Sequence, residues 1–425
     1  MFNKSIAILF TALLIPVLAA CAGSAPASTT ELATGQAATS VPLDTLVPGE
    51  TEVMESGDEQ HNGIVTLATG DENNAPKIRD IESWINSEPI TIEGQRGKVV
   101  LVDFWTYTCV NCIRTLPFLK AWYEKYQDHG LVIIGMHAPE FEFEKVRDSV
   151  VQATEEFGIT WPVTQDNKMG TWRAFDNRFW PAKYLIDGEG KFRYTHFGEG
   201  SYEEKELWIR SLLVEAGADL SDVSPETDAE PIHSSAAEVA EPGQGLTREL
   251  YAGYDRNQGA RLSRQSPPYV TQRVYYDNRG DEYQYEDPGD HQNHFLYIQG
   301  LWRNDEERLI HARKTIGFQD YLATKFFATS VNAVMGPGEG LPLKVQVLLD
   351  DLPITPDNAG VDVMFDGNEG PYILVDDWRM YNIVSLPEFE DHILKLSSNS
   401  PEFSMFAYTF GAYEVGEPAQ TGPNG

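Results

Sequence analysis

Residues 102–112 read V-D-F-W-T-Y-T-C-V-N-C. Residues 99–105 form a continuous apolar run interrupted only by Asp103. Gly97 lies before it and the polar Thr106 and Thr108 after it, which predicts a buried strand. Ile113, Leu116, Leu119, Tyr123 and Tyr126 follow at helical spacing. The two cysteines therefore fall at the junction of a strand and the first turn of a helix. A thiol there faces unpaired backbone N–H groups and the positive end of the helix dipole, and both favour thiolate. That makes Cys109 a candidate nucleophile. Cys112 lies one helical turn on, within reach of a small disulfide, and strand–CxxC–helix order marks a redox motif.

The chain of 425 residues holds three cysteines, Cys21, Cys109 and Cys112, so once Cys21 is set aside a single pair remains and no structural disulfide framework exists. Zinc at the CxxC would need two more soft ligands, and no other cysteine is available. Lys4 followed by the apolar residues 6–17 reads as a leader too short to span a bilayer comfortably. Leu18-Ala19-Ala20-Cys21 resembles the lipobox of bacterial lipoproteins. That resemblance implies removal of residues 1–20 and a diacylglyceryl group on Cys21, enough for stable anchoring. The competing reading is an ordinary signal peptide cut at a small-residue site. Either places the mature chain outside the cytoplasm, where disulfides persist. A net charge of −33, from 32 basic and 65 acidic residues, excludes nucleic acid as a partner.

Composition divides the rest. Residues 21–76 are rich in Ser, Thr, Ala, Gly, Pro and acids and contain no Lys or Arg, which predicts a disordered acidic tether. Residues 77–216 alternate strand and helix signals. Strands are expected at 99–105, 131–137, 161–164, 182–186 and 192–197, and helices at 110–126, 143–157, 168–175 and 202–215. Asp187-Gly188-Glu189-Gly190 reads as a hairpin turn. The order predicts a mixed α/β sheet with helices on both faces. Residues 217–245 read as an acidic linker and 417–425 as a tail. Between them, 246–416 carry short strands separated by turn residues, which predicts an all-β antiparallel sandwich of jelly-roll type. Tyr381–Leu386 and His392–Leu396 read there as two strands.

Gly97–Cys112 resembles the active-site strand of thioredoxins and of their extracytoplasmic TlpA/ResA relatives. Asp103 stands six residues before Cys109, where thioredoxins carry a buried acid, and Pro117 five after Cys112, at the helix-kink position. Residues 179–187, F-W-P-A-K-Y-L-I-D, match the segment bearing the cis-proline, here Pro181. The resemblance implies attack by Cys109 on a protein disulfide and release by Cys112. Cys112 must lose its proton while buried, and Asp103 or Glu140 is the expected acceptor. Glu140, in H-A-P-E at 137–140, matches a functional glutamate of ResA-like proteins. Trp180 and Trp105 are candidates for substrate contact, with core packing the leading reading for Trp105. A peroxidase is a rival on the same fold: Thr106 fits Pro-x-x-x-Thr-x-x-Cys, but Val102 occupies the proline position.

A closer resemblance is to the extracytoplasmic region of DipZ-like proteins. It runs through residues 105–117 (W-T-Y-T-C-V-N-C-I-R-T-L-P) and 137–141 (H-A-P-E-F). It continues at 197–200 (F-G-E-G), 247–254 (T-R-E-L-Y-A-G-Y) and 407–411 (A-Y-T-F-G). It implies a thioredoxin domain followed by a sandwich similar to carbohydrate-binding modules. No cofactor is expected beyond the Cys109–Cys112 disulfide. The implied partners are protein disulfide substrates, a CcdA-like membrane electron donor and the membrane itself. Glycan on the sandwich is a further candidate, with Trp302, Trp378, Tyr251 and Tyr297 as potential platforms. The alternative function is a glycan- or protein-binding module with a subsidiary redox centre. Acidic runs at 277–282 and 362–369 are candidate calcium loops without an EF-hand pattern.

Overall fold

The computed structural model describes residues 74–224, 245–257, 268–338, 341–367 and 370–411. The leader, Cys21, nearly all of the first tether, most of the linker and the C-terminal tail lie outside the described residues.

The first domain is built on a sheet of six strands in the order β1-β4-β3-β2-β5-β6. These are β1 (Trp84–Ile85), β2 (Val99–Trp105), β3 (Leu131–His137), β4 (Val163–Gln165), β5 (Ala182–Ile186) and β6 (Phe192–Phe197). β2, β3 and β4 run parallel, and the others join antiparallel. Every residue of β2 is buried because both its faces are covered. Val100, Val102 and Phe104 pack with Ile134, Trp172 and Phe175, on the side of helix α3 (Gly170–Ala174). Val99, Leu101 and Trp105 join a second cluster, made with α1 (Val110–Tyr126), α2 (Arg147–Glu156) and α4 (Tyr202–Glu215). Each large apolar side chain so buried contributes about 1.5–3 kcal/mol. The period of two puts Asp103 on the second face, toward α1 and α4.

Three boundaries differ from expectation. The helix expected over 143–157 is broken: a 3₁₀ turn, Glu142–Lys145, precedes α2, and the extended Val146 separates them. The buried Glu144 carboxylate causes the break by turning inward to accept the N–H groups of Glu140 and Phe141. β4 begins only after Pro162, which has no N–H to give a ladder. β1, too short for any periodicity, pairs with β4 through Trp84 and Thr164.

In the second domain every pairing between named strands is antiparallel. The ladders join eleven strands into one hydrogen-bonded sheet, among them β8 (Glu282–Tyr285), β12 (Leu343–Leu349), β13 (Leu352–Pro353), β14 (Val363–Asp366) and β15 (Gly370–Val375), the all-antiparallel domain that the sequence predicts. Two long strands carry it, β11 (Tyr321–Gly336) and β16 (Arg379–Ser398). The first half of β11 pairs with β9 (Leu296–Asn304), and its second half with β17 (Ser404–Gly411). β17 and β9 are bridged by β10 (Leu309–His311), so the sheet closes on itself around one core. The two strands expected at 381–386 and 392–396 are a single strand. Pairing passes from Ala328↔Glu390 directly to Ser330↔Ser385, so residues 386–389 bulge out. Pro387 therefore needs no ladder hydrogen bond.

The two domains share apolar contacts. Phe406 lies edge-on to Phe141 (5.1 Å between ring centres) and Phe143 (5.0 Å), and Trp378 is 5.6 Å from Phe143. Val334, Met380 and Ala407 from the second domain belong to the same hydrophobic cluster as α1 and α4.

Candidate active site

Cys109 caps α1 in an extended conformation and is half-buried, whereas Cys112, in the first turn, is 1% exposed. The two form a disulfide with Cα atoms 5.2 Å apart. The Cys112 N–H points at Cys109 Sγ (3.2 Å), and the Cys109 carbonyl accepts from Cys112 and Ile113. One sulfur is thus offered outward with a backbone donor behind it, and the other is held in the core. The Trp180–Pro181 bond is cis.

Beneath α1 lies a buried polar chain. Lys183 Nζ sits 2.9 Å from the Asp103 carboxylate, across the β2–β5 ladder that pairs the two residues, and donates to Thr115 Oγ1 (3.0 Å). Thr115 donates to the Cys112 carbonyl (2.9 Å). Burial raises the Asp103 carboxyl, while Lys183 pulls it down. Lys205, on α4, is pushed down to about 6 by burial and then by Lys183, and it donates to the Gly200 carbonyl. The chain reaches α1 through the Cys112 carbonyl.

Above the disulfide is a small cleft of about 40 Å³ whose walls come from both domains. Thr108, Cys109, Glu140 and Trp180 line it from the first, and Glu249 and Tyr251 from the second. Glu140 follows β3, and its Oε1 accepts from Tyr251 Oη (2.9 Å) and Arg256 Nη2 (2.6 Å). Tyr251, on β7 (Leu250–Tyr251), also lies 3.0 Å from Glu249 Oε2. Burial, then the charge of Glu140, pushes Glu249 up to about 7. Glu144, which accepts from Thr108, is likewise pushed up to about 7 by burial and Glu140. His137 is fully buried and held down to about 3 by desolvation, so it stays neutral.

The structure brings Cys109, Glu140 and Trp180 together at the cleft and puts Asp103 under the helix. Trp180 rests on Trp172 with ring centres 4.2 Å apart and donates to the Ala138 carbonyl (2.9 Å). Trp105 is 1% exposed and packed edge-on to His137, so of its two readings the structure favours core packing over substrate contact. It lies in fully buried β2. Trp302 and Tyr297 are core residues, while Tyr251 lines the redox cleft and Trp378 lies under the Arg308 guanidinium (4.8 Å). None of the four stands as a free stacking platform. Of the acids weighed for calcium, Asp362 is taken by Arg379 (2.9 Å) and Asp366 by Lys344 (3.3 Å).

Glu144, Lys183, Lys205, Glu249 and Arg256 were not singled out from the sequence. A lysine inside the apolar A-K-Y-L-I of β5 signals a buried acid partner. Glu249 and Tyr251 lie in residues 247–254, a stretch that reads as a signature of the second domain and not as part of a redox site.

Residues 70–207 match the Redoxin family model, and residues 247–411 match that of a Thioredoxin like C-terminal domain. The chain thus carries a thioredoxin-like domain followed by a thioredoxin-like C-terminal domain. Over 182 residues it is 41% identical to Protein DipZ of Mycobacterium tuberculosis (strain CDC 1551 / Oshkosh), covering 42% of this chain and 25% of DipZ. It is 36% identical over 141 residues to NHL repeat-containing protein 2 of Bos taurus, covering 32% of this chain and 19% of that one. Thiol-disulfide oxidoreductase YkuV of Bacillus subtilis (strain 168) is 28% identical over 141 residues, covering 33% of this chain and 94% of YkuV. The chain therefore spans about a quarter of the length of the DipZ proteins it matches.

Proposed function

We propose that this protein is a thiol–disulfide oxidoreductase that works outside the cytoplasm, anchored to the cell membrane through a lipidated Cys21, and that it reduces protein disulfides. One observation carries the reading: a CxxC disulfide with one sulfur lining a cleft and the other in the core. Cys109 attacks a substrate disulfide to form a mixed disulfide. Cys112, one turn away, then displaces it and releases the reduced substrate. A CcdA-like membrane protein supplies the electrons.

The half-buried Trp180, beside the cis-proline, gives an extended substrate segment an apolar edge next to Cys109. The similarity to YkuV supports the exchange chemistry, and the likeness to TlpA/ResA-type sequences supports the reducing direction.

The test is turnover of a protein disulfide such as insulin by the dithiol-reduced chain. Turnover should vanish in Cys109→Ser, and an unchanged rate in that variant defeats the reading. Membrane fractionation of Cys21→Ala tests the anchor separately: loss from the membrane pellet is expected, and full retention contradicts it.

A further inference from the structure

The geometry points to Glu249, a residue of the second domain, as the acid–base group of the redox centre, coupled to Glu140 through the Tyr251 hydroxyl. This assignment rests on the oxidoreductase reading and deepens it.

The second domain closes over Cys109. The cleft above the sulfur, about 40 Å³, is large enough for a few waters or for the reacting atoms of a substrate. Glu249 and Cys109 both line it. The other carboxyl on the cleft, Glu140, is already held by Arg256.

The hydrogen bonds fix where the proton rests. Tyr251 Oη lies 2.9 Å from Glu140 Oε1 and 3.0 Å from Glu249 Oε2. A phenol carries one proton and donates to one acceptor at a time. Both contacts are hydrogen bonds together only when one of the two carboxyls is protonated. Arg256 Nη2, 2.6 Å from Glu140 Oε1, holds the negative charge on Glu140. Tyr251 itself, buried between two acids, is pushed well above the ordinary tyrosine range and keeps its proton. The shared proton therefore belongs to Glu249.

Several segments face Glu249, with Tyr251 on β7, Glu140 after β3, Arg256 in the helical turn after β7, and Arg114 on α1. Tyr269 faces it from the following segment, and Glu144 faces Glu140 from the 3₁₀ turn. Burial and the Glu140 charge outweigh the Tyr251 hydrogen bond and the two arginines and bring Glu249 up to about 7, where it can both take and give a proton at neutral pH.

The step balances. Ionised Glu249 takes the proton of the Cys109 thiol. The thiolate attacks a substrate disulfide: the Cys109–sulfur bond forms, the substrate S–S bond breaks, and its electron pair leaves on the departing sulfur. Glu249 returns the proton to that sulfur, which departs as a thiol. Cys112 then displaces the second substrate sulfur, which leaves with the proton that Cys112 gives up. The Cys109–Cys112 pair ends oxidised and the substrate ends as two thiols.

The experiment uses the full chain, reduced beforehand, in single-turnover exchange with glutathione disulfide from pH 5 to 9. The wild type should show an inflection near pH 7. Glu249→Gln should remove that inflection and slow exchange at pH 7 by about tenfold or more. Glu249→Asp should recover part of the rate. Tyr251→Phe uncouples the carboxyls without emptying the interface, removes the hydrogen bond that holds Glu249 down, and should move the inflection to higher pH. Should Glu249→Gln fail to fold, Tyr251→Phe decides, and an unmoved inflection overturns the assignment. A folded Glu249→Gln with wild-type rate and profile also overturns it. A wild type that exchanges no disulfide defeats the oxidoreductase reading instead, so the two failures are distinguishable.

Discussion

Asp103 and Glu140 are two acids at the same redox centre, built in opposite ways. Asp103 lies under α1, sealed in the first domain and paired with Lys183 at 2.9 Å across a strand ladder. Glu140 lines the cleft above Cys109, and the groups that hold it, Tyr251 and Arg256, come from the second domain. The acid below is a closed charge pair that reaches the cysteines only through Thr115 and the Cys112 carbonyl. The acid above shares a proton with a third carboxyl where substrate arrives. A redox domain carries its own floor, and here the second domain supplies the roof.

The floor should be the more costly to damage. Asp103→Ala leaves Lys183 buried without its anion, and unfolding in urea should show a loss of about 3–5 kcal/mol. A loss under about 1 kcal/mol would mean that the pair is not closed.

The cleft side of the first domain should instead show itself in pH dependence. Glu144, fully buried beneath the Glu140 turn, is raised from its ordinary 4.5 to about 7. Between those values the folded state holds a proton that the unfolded state has lost. Stability is therefore complete below about pH 4.5 and falls until about pH 7, by on the order of 2–3 kcal/mol. Glu144→Gln should flatten that slope in melts taken from pH 4 to 8, and an unchanged slope would assign it elsewhere.

The smallest effect is expected at Glu140→Gln. Arg256 is 40% exposed, so breaking this pair should cost only about 1 kcal/mol of stability. A cost as large as that of Asp103→Ala would erase the distinction between floor and roof.

Legibility follows the same division. Strands β2, β3 and β5 lie where the pattern puts them because each is a buried run, β6 because it follows the Asp187–Gly190 turn, and helices α1 and α4 because each carries an apolar face at helical spacing. Asp103 could be placed from a single strand, because the resemblance to thioredoxins fixes it six residues before Cys109 and β2 is buried along its whole length. Glu249 could not, because its role exists only once β7 docks over Cys109, and no local period encodes that docking. β16 reads as two strands because Pro387 breaks the pattern, and only the bulge opposite β11 shows why the chain continues. Trp105 looks available beside the CxxC, but β2 is covered on both faces.

The most direct test of the central claim is a trap. The reduced Cys112→Ser chain, exposed to a protein disulfide, should retain the substrate as a mixed disulfide on Cys109, visible by intact mass and released by dithiol. The matching Cys109→Ser chain should retain none. Equal trapping by both variants, or by neither, would contradict an outward Cys109 nucleophile resolved by a buried Cys112.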